Sequence, residues 1–192
     1  MTENNEENHY TIALDGVSGS GKSSTAKRVA ERLNILYLDT GAMYRAVTYL
    51  CQQANIPFTD IKAVADFTNQ LDFNFTDEGN ICVNGDDLSY PIRTPKVSAQ
   101  VSDYCTIPRV REVLVDLQRK IGNTRSSILD GRDIGTVVFP NSKFKYFLWA
   151  SPEVRAKRRL LELQVKGITA EYDEILKNLE ERDQKDSSRA HS

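Results

Sequence analysis

Gly16-Val17-Ser18-Gly19-Ser20-Gly21-Lys22-Ser23-Ser24 follows directly on the apolar run Ile12-Ala13-Leu14 and contains no large side chain. Ordering a glycine costs more backbone entropy than ordering any other residue, so three in six positions need a compensating use. Gly16, Gly21, Lys22 and Ser23 stand at the spacing G-x-x-x-x-G-K-[ST] of a phosphate-binding loop, or P-loop. Each residue type has a physical reason. Glycines let successive backbone N–H groups point into one concavity, which is an anion site. A following helix would aim its unpaired N–H groups and its positive dipole end at the same point. Lys22 brings a mobile positive charge to the outer phosphates, and Ser23 offers a hydroxyl to Mg²⁺. The stretch therefore predicts a nucleoside triphosphate site at a strand-to-helix junction.

The flanking sequence supplies that junction. Tyr10 to Leu14 reads as a short buried strand, and Ala26, Val29, Ala30 and Leu33 recur at helical spacing after the loop. Ile35 to Leu38 reads as a second strand, Asp39-Thr40-Gly41 as a capped turn, and Met43, Ala46, Val47 and Leu50 as another helical stripe. Strand–helix–strand–helix order predicts an α/β domain with a parallel sheet. The rhythm changes near Pro57. A short helix is expected over 61–71, then strands over 72–76 and 80–83, and Asn84-Gly85 is a strong hairpin signal. Residues 57–92 thus read as a small antiparallel insertion. Helices are expected over 95–104 and from Pro108, core strands over 126–129 and 145–149, and two closing helices over 152–166 and 169–184.

Composition narrows the chemistry. The chain has 192 residues, 40% of them hydrophobic and 27% charged, with a net charge of -2. That suits one globular domain with an insertion and gives no general pull towards nucleic acid or membrane. No stretch approaches the roughly 18 apolar residues of a spanning helix. The start, MTENNEENHY, is acidic and reads as a disordered leader rather than a secretory signal. Cys51, Cys82 and Cys105 are odd in number and far apart, which fits reduced thiols in a cytoplasmic protein. His9 and His191 sit at the two ends, which argues against a histidine triad or a zinc hydrolase. A GTP switch is also disfavoured, because neither N-K-x-D nor D-x-x-G occurs.

A second set of signals concerns another anion. Tyr44-Arg45 follows the turn at strand two, and Asp130-Gly131-Arg132-Asp133 follows the strand at 126–129. Ligands in open α/β sheets bind beyond the carboxyl ends of strands, and arginine grips phosphate bidentately. Arg45 and Arg132 could each be a surface ion pair; together beside a P-loop they favour a phosphate. Asp130 could assist Mg²⁺ or cap a helix. Arg155, Lys157, Arg158 and Arg159 crowd one helix, either as a solvated face or as a lid closing over phosphates, with Arg155 and Arg159 sharing a face. Two anions and a closing basic segment describe a phosphoryl transferase, which must exclude water.

The segments DGVSGSGKSS, LDTGAMYRA, IRTPKVS, IPRVRE, LDGRDIGTVVFP and ERDQKDSSRA closely resemble the cytidylate kinase family of nucleoside monophosphate kinases. The resemblance implies a three-layer α/β/α P-loop kinase with a central parallel sheet, a helical lid and a small antiparallel-strand insertion. It implies a leader at 1–9, core at 10–56 and 111–150, a monophosphate-binding region at 57–110, a lid at 151–168, and core again at 169–192. It assigns Gly16, Val17, Ser18, Gly19, Ser20, Gly21, Lys22, Ser23 and Ser24, with Arg155 and Arg159, to ATP. It assigns Thr40, Tyr44, Arg45, Ser102, Arg111, Arg132, Asp133, Arg182, Asp186 and Arg189 to CMP. Lys22, Arg132 and Arg45 would act in transfer, and Ser23 and Asp130 would hold Mg²⁺. The expected partners are ATP and CMP or dCMP, with no nucleic acid or membrane, for a monomer in the cytoplasm. The family pattern continues past Ser-x-Arg-Ala with a further strand and helix, whereas this chain stops at Ser192, so a shortened core and weakened ATP binding are expected. Another small-molecule P-loop kinase, acting on UMP or a similar acceptor, and a nucleotide-binding protein of weak activity are the alternatives.

Overall fold

A computed structural model describes residues 9–76, 79–165 and 167–187. The expected leader over residues 1–8, and Arg189 and His191, lie outside the described residues.

Strands β1 (Thr11–Gly16), β2 (Leu36–Asp39), β6 (Ser127–Gly131) and β7 (Phe144–Leu148) form a parallel sheet in the order β2-β6-β1-β7. The register aligns Leu14 and Asp39 with Asp130, and Gly16 with Leu148. All four carboxyl ends therefore open on one edge, and β1, carrying the P-loop, lies inside the sheet. Strand alternation explains the layers. Ile12, Leu14, Tyr37 and Ile128 face one side, where they pack on Ala26 and Ala30 of helix α1 (Lys22–Leu33). Ala13, Leu38 and Leu129 face the other side. There they meet helix α2 (Thr40–Gln53) through Ala42, Met43, Ala46 and Val47, and helix α5 (Pro108–Gly122) through Val110 and Leu114.

Between α2 and α5 lie α3 (Ile61–Thr68), a three-stranded antiparallel sheet of β3 (Phe73–Phe75), β4 (Ile81–Val83) and β5 (Asp86–Asp87), a 3₁₀ turn over Pro91–Arg93, and α4 (Pro95–Cys105). The Asn84-Gly85 hairpin is present with both φ angles positive, 53° and 89°, as a type I′ turn requires. The expected strand at 72–76 is shorter than the sequence suggests. Helices α6 (Pro152–Val165) and α7 (Tyr172–Ser187) pack on one another after β7. Leu33, read as part of the buried stripe of α1, is 49% exposed because it occupies the last helical turn beyond the sheet. Among the described residues no helix is long and apolar enough to cross a membrane.

Candidate active site

The P-loop forms at the carboxyl end of β1. Gly16 has φ of 147°, and a Cβ there would stand 2.0 Å from the Leu148 carbonyl oxygen, so the close passage of β7 excludes any side chain. Gly21 precedes α1 in a left-handed conformation and offers no side chain to cap the first-turn amides. Those N–H groups stay available to an anion. Lys22 is buried, and its Nζ donates to the Val17 carbonyl at 2.7 Å. Burial, then the neighbouring Arg132, push its pKa down to about 7 against the pull of Asp130, Asp15 and Asp186. The Ser20 hydroxyl is buried and has no partner among the described residues. Val17 and Ser18 are half-buried, whereas Gly19, Ser23 and Ser24 are exposed at the mouth.

Two carboxylates flank the loop. Asp130 ends β6 and accepts from the Ser23 hydroxyl at 2.7 Å and from the Tyr37 hydroxyl at 3.3 Å. Burial, then Asp39, raise its pKa to about 6. Asp15 ends β1 and accepts from the backbone N–H groups of Ile134 and Gly135, each at 2.8 Å. Burial raises its pKa despite those two bonds. Ser23 and Asp130 provide the hydroxyl-plus-carboxylate oxygens that suit Mg²⁺, which takes few protein ligands and completes its shell with phosphate and water. Among the described residues no cluster of three metal-binding side chains is present, so a dedicated protein cage is absent.

A basic group gathers beside Lys22. Arg45, on the second turn of α2, donates to Asp39 Oδ2 at 3.0 Å and Oδ1 at 3.3 Å. Asp39 also caps α2 by accepting from Ala42 N–H and takes a bond from Arg93 at 3.2 Å. Arg132 donates through Nε to Asp186 Oδ2 at 2.8 Å. Arg182 on α7 has its Nε buried without a partner among the described residues. Burial lowers its pKa, followed by the charges of Arg132 and, more weakly, Arg45. Arg132 thus acts on both Arg182 and Lys22, and Arg45 more weakly on Arg182. Thr40, assigned to CMP, donates its hydroxyl to the Asp130 carbonyl at 2.7 Å. Its side chain is drawn to the adjacent strand because it opens α2 directly opposite β6.

Two more of the residues assigned to CMP meet. Arg111 of α5 forms a short ion pair with Asp133, both nearly buried. Burial works against the charge of Arg111, but Tyr44 and Asp133 beside it raise its pKa. Ser102 lies half-buried on α4.

Helix α6 departs from expectation. Arg155, read as a lid arginine for ATP, is 1% exposed and ion-paired with Asp183 of α7. Arg159 is about half exposed and pairs with Glu162 one turn on. Arg158 of α6 also nears the P-loop, its guanidinium 4.0 Å from where a Cβ on Gly21 would stand. Asp15, Tyr37 and Arg93 were also missed. Each works through a partner far off in sequence, although Asp15 lies inside the quoted DGVSGSGKSS and Arg93 inside the quoted IRTPKVS.

A family model described as cytidylate kinase matches residues 12–192. A cytidylate kinase of Clostridium tetani is 47% identical over 178 residues, covering 93% of this chain and 78% of that protein. A cytidylate kinase of Clostridium botulinum is 46% identical, covering 94% and 83%. That of Clostridium acetobutylicum is 47% identical, covering 93% and 82%.

Proposed function

The chain belongs to the cytidylate kinase family, and on that premise we propose that it transfers the γ-phosphoryl group of ATP to CMP, and to dCMP, giving ADP and CDP or dCDP. The observation that carries this reading is Arg132, just past the carboxyl end of β6, which acts on both the P-loop Lys22 and Arg182 of α7, while Arg45 acts more weakly on Arg182. Two polyanions need two sites that meet, and this arrangement supplies them.

The P-loop amides and Lys22 hold the β- and γ-phosphates. Arg45, Arg132 and Arg182 hold the phosphate of CMP, with Arg189 contributing from beyond the described residues. A phosphate oxygen of CMP attacks the γ-phosphorus in line. The bond from that phosphorus to the β,γ-bridging oxygen breaks, and ADP leaves with the electron pair. The acceptor oxygen is already anionic, so no strong base is required. Catalysis comes from positioning and from neutralising charge. Mg²⁺, bound by Ser23 and Asp130, would neutralise charge on the transferring phosphates.

Asp133, oriented by Arg111, can accept from the exocyclic amine of cytosine, which uracil lacks. Asp186, Tyr44 and Ser102 complete the nucleoside pocket in this reading. A short segment around α6 acts as the lid, with Arg158 and Arg159 near the donor phosphates. The protein is taken to act as a monomer. Three free cysteines suit the reducing cytoplasm. A coupled assay of ADP release with CMP, dCMP, UMP and AMP tests the reading. CMP and dCMP should lead by at least about a hundredfold, as for a site built to bond an amine. Preference for UMP would overturn it.

A further inference from the structure

Arg155 is among the largest fully buried side chains of the described residues, yet it carries a charge. Its guanidinium reaches three separate segments. Nε donates to the Ala150 carbonyl at 2.8 Å, at the exit of β7. One terminal nitrogen donates to the Ser18 carbonyl of the P-loop at 3.0 Å and to Asp183 Oδ1 at 3.2 Å. The other donates to Asp183 Oδ2, completing a bidentate pair with α7. The stem packs beneath the loop, since a Cβ on Gly19 would lie 3.6 Å from Arg155 Cβ. A planar fork of five donors can serve three acceptors at once; an ammonium cannot match that geometry.

The bond to Ser18 has a consequence set by the peptide plane. The Ser18 carbonyl and the Gly19 N–H belong to one planar trans unit and point in opposite directions. Holding the carbonyl against Arg155 turns the Gly19 N–H away from α6. A phosphate cradle needs its N–H groups turned inward and its carbonyls outward. Gly19 has φ of 73°, a left-handed conformation that this peptide orientation accompanies.

We propose that Arg155 and Asp183 form a positioning pair that holds the P-loop in its phosphate-binding conformation, resting on the kinase reading above. Asp183 fixes Arg155, and Arg155 fixes the Ser18–Gly19 peptide. The unexpected part concerns Asp183. Its chain neighbour Arg182 and the next-turn Asp186 belong to the acceptor side, where Asp186 pairs with Arg132. Asp183 points across α7 to the other substrate. Consecutive residues of one helix therefore serve different nucleotides.

Titration calorimetry on the full chain, with Mg²⁺–ATP and CMP measured separately, tests this. Asp183→Asn should weaken ATP binding by about tenfold and leave CMP binding within about twofold, because the buried guanidinium loses its counter-charge. Arg155→Lys keeps the charge without the fork and should show the same split with a smaller effect. Thermal melts establish that each variant is folded at the assay temperature; where Asp183→Asn is not, Arg155→Lys decides. Equal weakening of both ligands, or no change in ATP affinity in a folded variant, overturns the pair's role. A parent chain that binds both nucleotides but releases no ADP would sink the transfer reading while leaving this test intact. A parent that binds no ATP would sink both.

Discussion

The donor cradle and the acceptor pocket are proposed to hold the same chemical group, yet they are built from different materials. The cradle is one continuous loop of backbone, and its positive potential comes from amides that cannot leave. The acceptor pocket is assembled from side chains, and two of its cations already have a carboxylate: Arg45 shares Asp39 with Arg93, and Arg132 holds Asp186. An anion entering the cradle competes for Lys22 with the Val17 carbonyl, a neutral acceptor. One entering the acceptor pocket must compete with Asp39 and Asp186. The first is preorganised by chain geometry, the second by ion pairs that exchange partners.

That contrast is broken most severely at Lys22. Lys22→Ala should lower kcat by about a thousandfold, because the cation serves phosphate charge that peaks during transfer. CMP affinity by calorimetry should stay within a few-fold, since the acceptor pocket keeps its arginines. A kcat within a few-fold of the parent would remove Lys22 from the donor site. Arg132→Gln probes the other side. It should lower kcat/KM for CMP by about a hundredfold, the scale of a lost charge-assisted bond to a buried anion. ATP binding should change far less, and an equal loss for both nucleotides would merge the two sites into one.

The same contrast governs what could be read from sequence. The P-loop is contiguous, so its spacing alone placed it, and the strand–helix–strand–helix order marked the parallel sheet. Asn84-Gly85 declared its hairpin because only such residues take two positive φ angles cheaply. The acceptor arginines were found as candidates at strand ends, but their carboxylate partners were not. Asp39 meets Arg93 across 54 residues, and Asp15 meets Ile134 across 119. No local pattern encodes such pairings. Arg155 was misread for the same reason. A run of four cations suggests solvent or ligand, and the counter-charge of Arg155 on Asp183 lies 28 residues away.

A smaller effect sharpens the comparison at Asp39. Asparagine caps a helix as well as aspartate, so Asp39→Asn removes the charge while keeping the α2 cap. Arg45 and Arg93 then face each other without neutralisation. The unliganded protein should lose about 1 kcal/mol or less, because Arg93 is more than half exposed. CMP would restore the missing negative charge. The rise in Tm on adding CMP should therefore exceed the parent's by about 2–4 °C. A smaller rise would mean that Asp39 aims the arginines at the phosphate rather than competing with it.

The last difference lies in protons. Lys22 has a pKa of about 7 in the fold against 10.5 ordinarily, with burial the first cause and Arg132 the second. At pH 8 about nine-tenths of it is neutral, and the phosphates of ATP favour its charged form. ATP binding should therefore take up close to one proton at pH 8, visible as heats that vary with the ionisation enthalpy of the buffer. Affinity for ATP should fall as pH rises from about 7 to 9. The unfolded chain keeps this lysine protonated up to 10.5, so between about 7 and 10.5 the unfolded state binds the extra proton. The contribution of Lys22 to stability accordingly rises with pH across that window. The acceptor pocket relies on guanidiniums, which stay charged throughout, and CMP affinity should be flat over the same range. Parallel pH profiles for the two nucleotides would mean that Lys22 does not distinguish the cradle from the pocket.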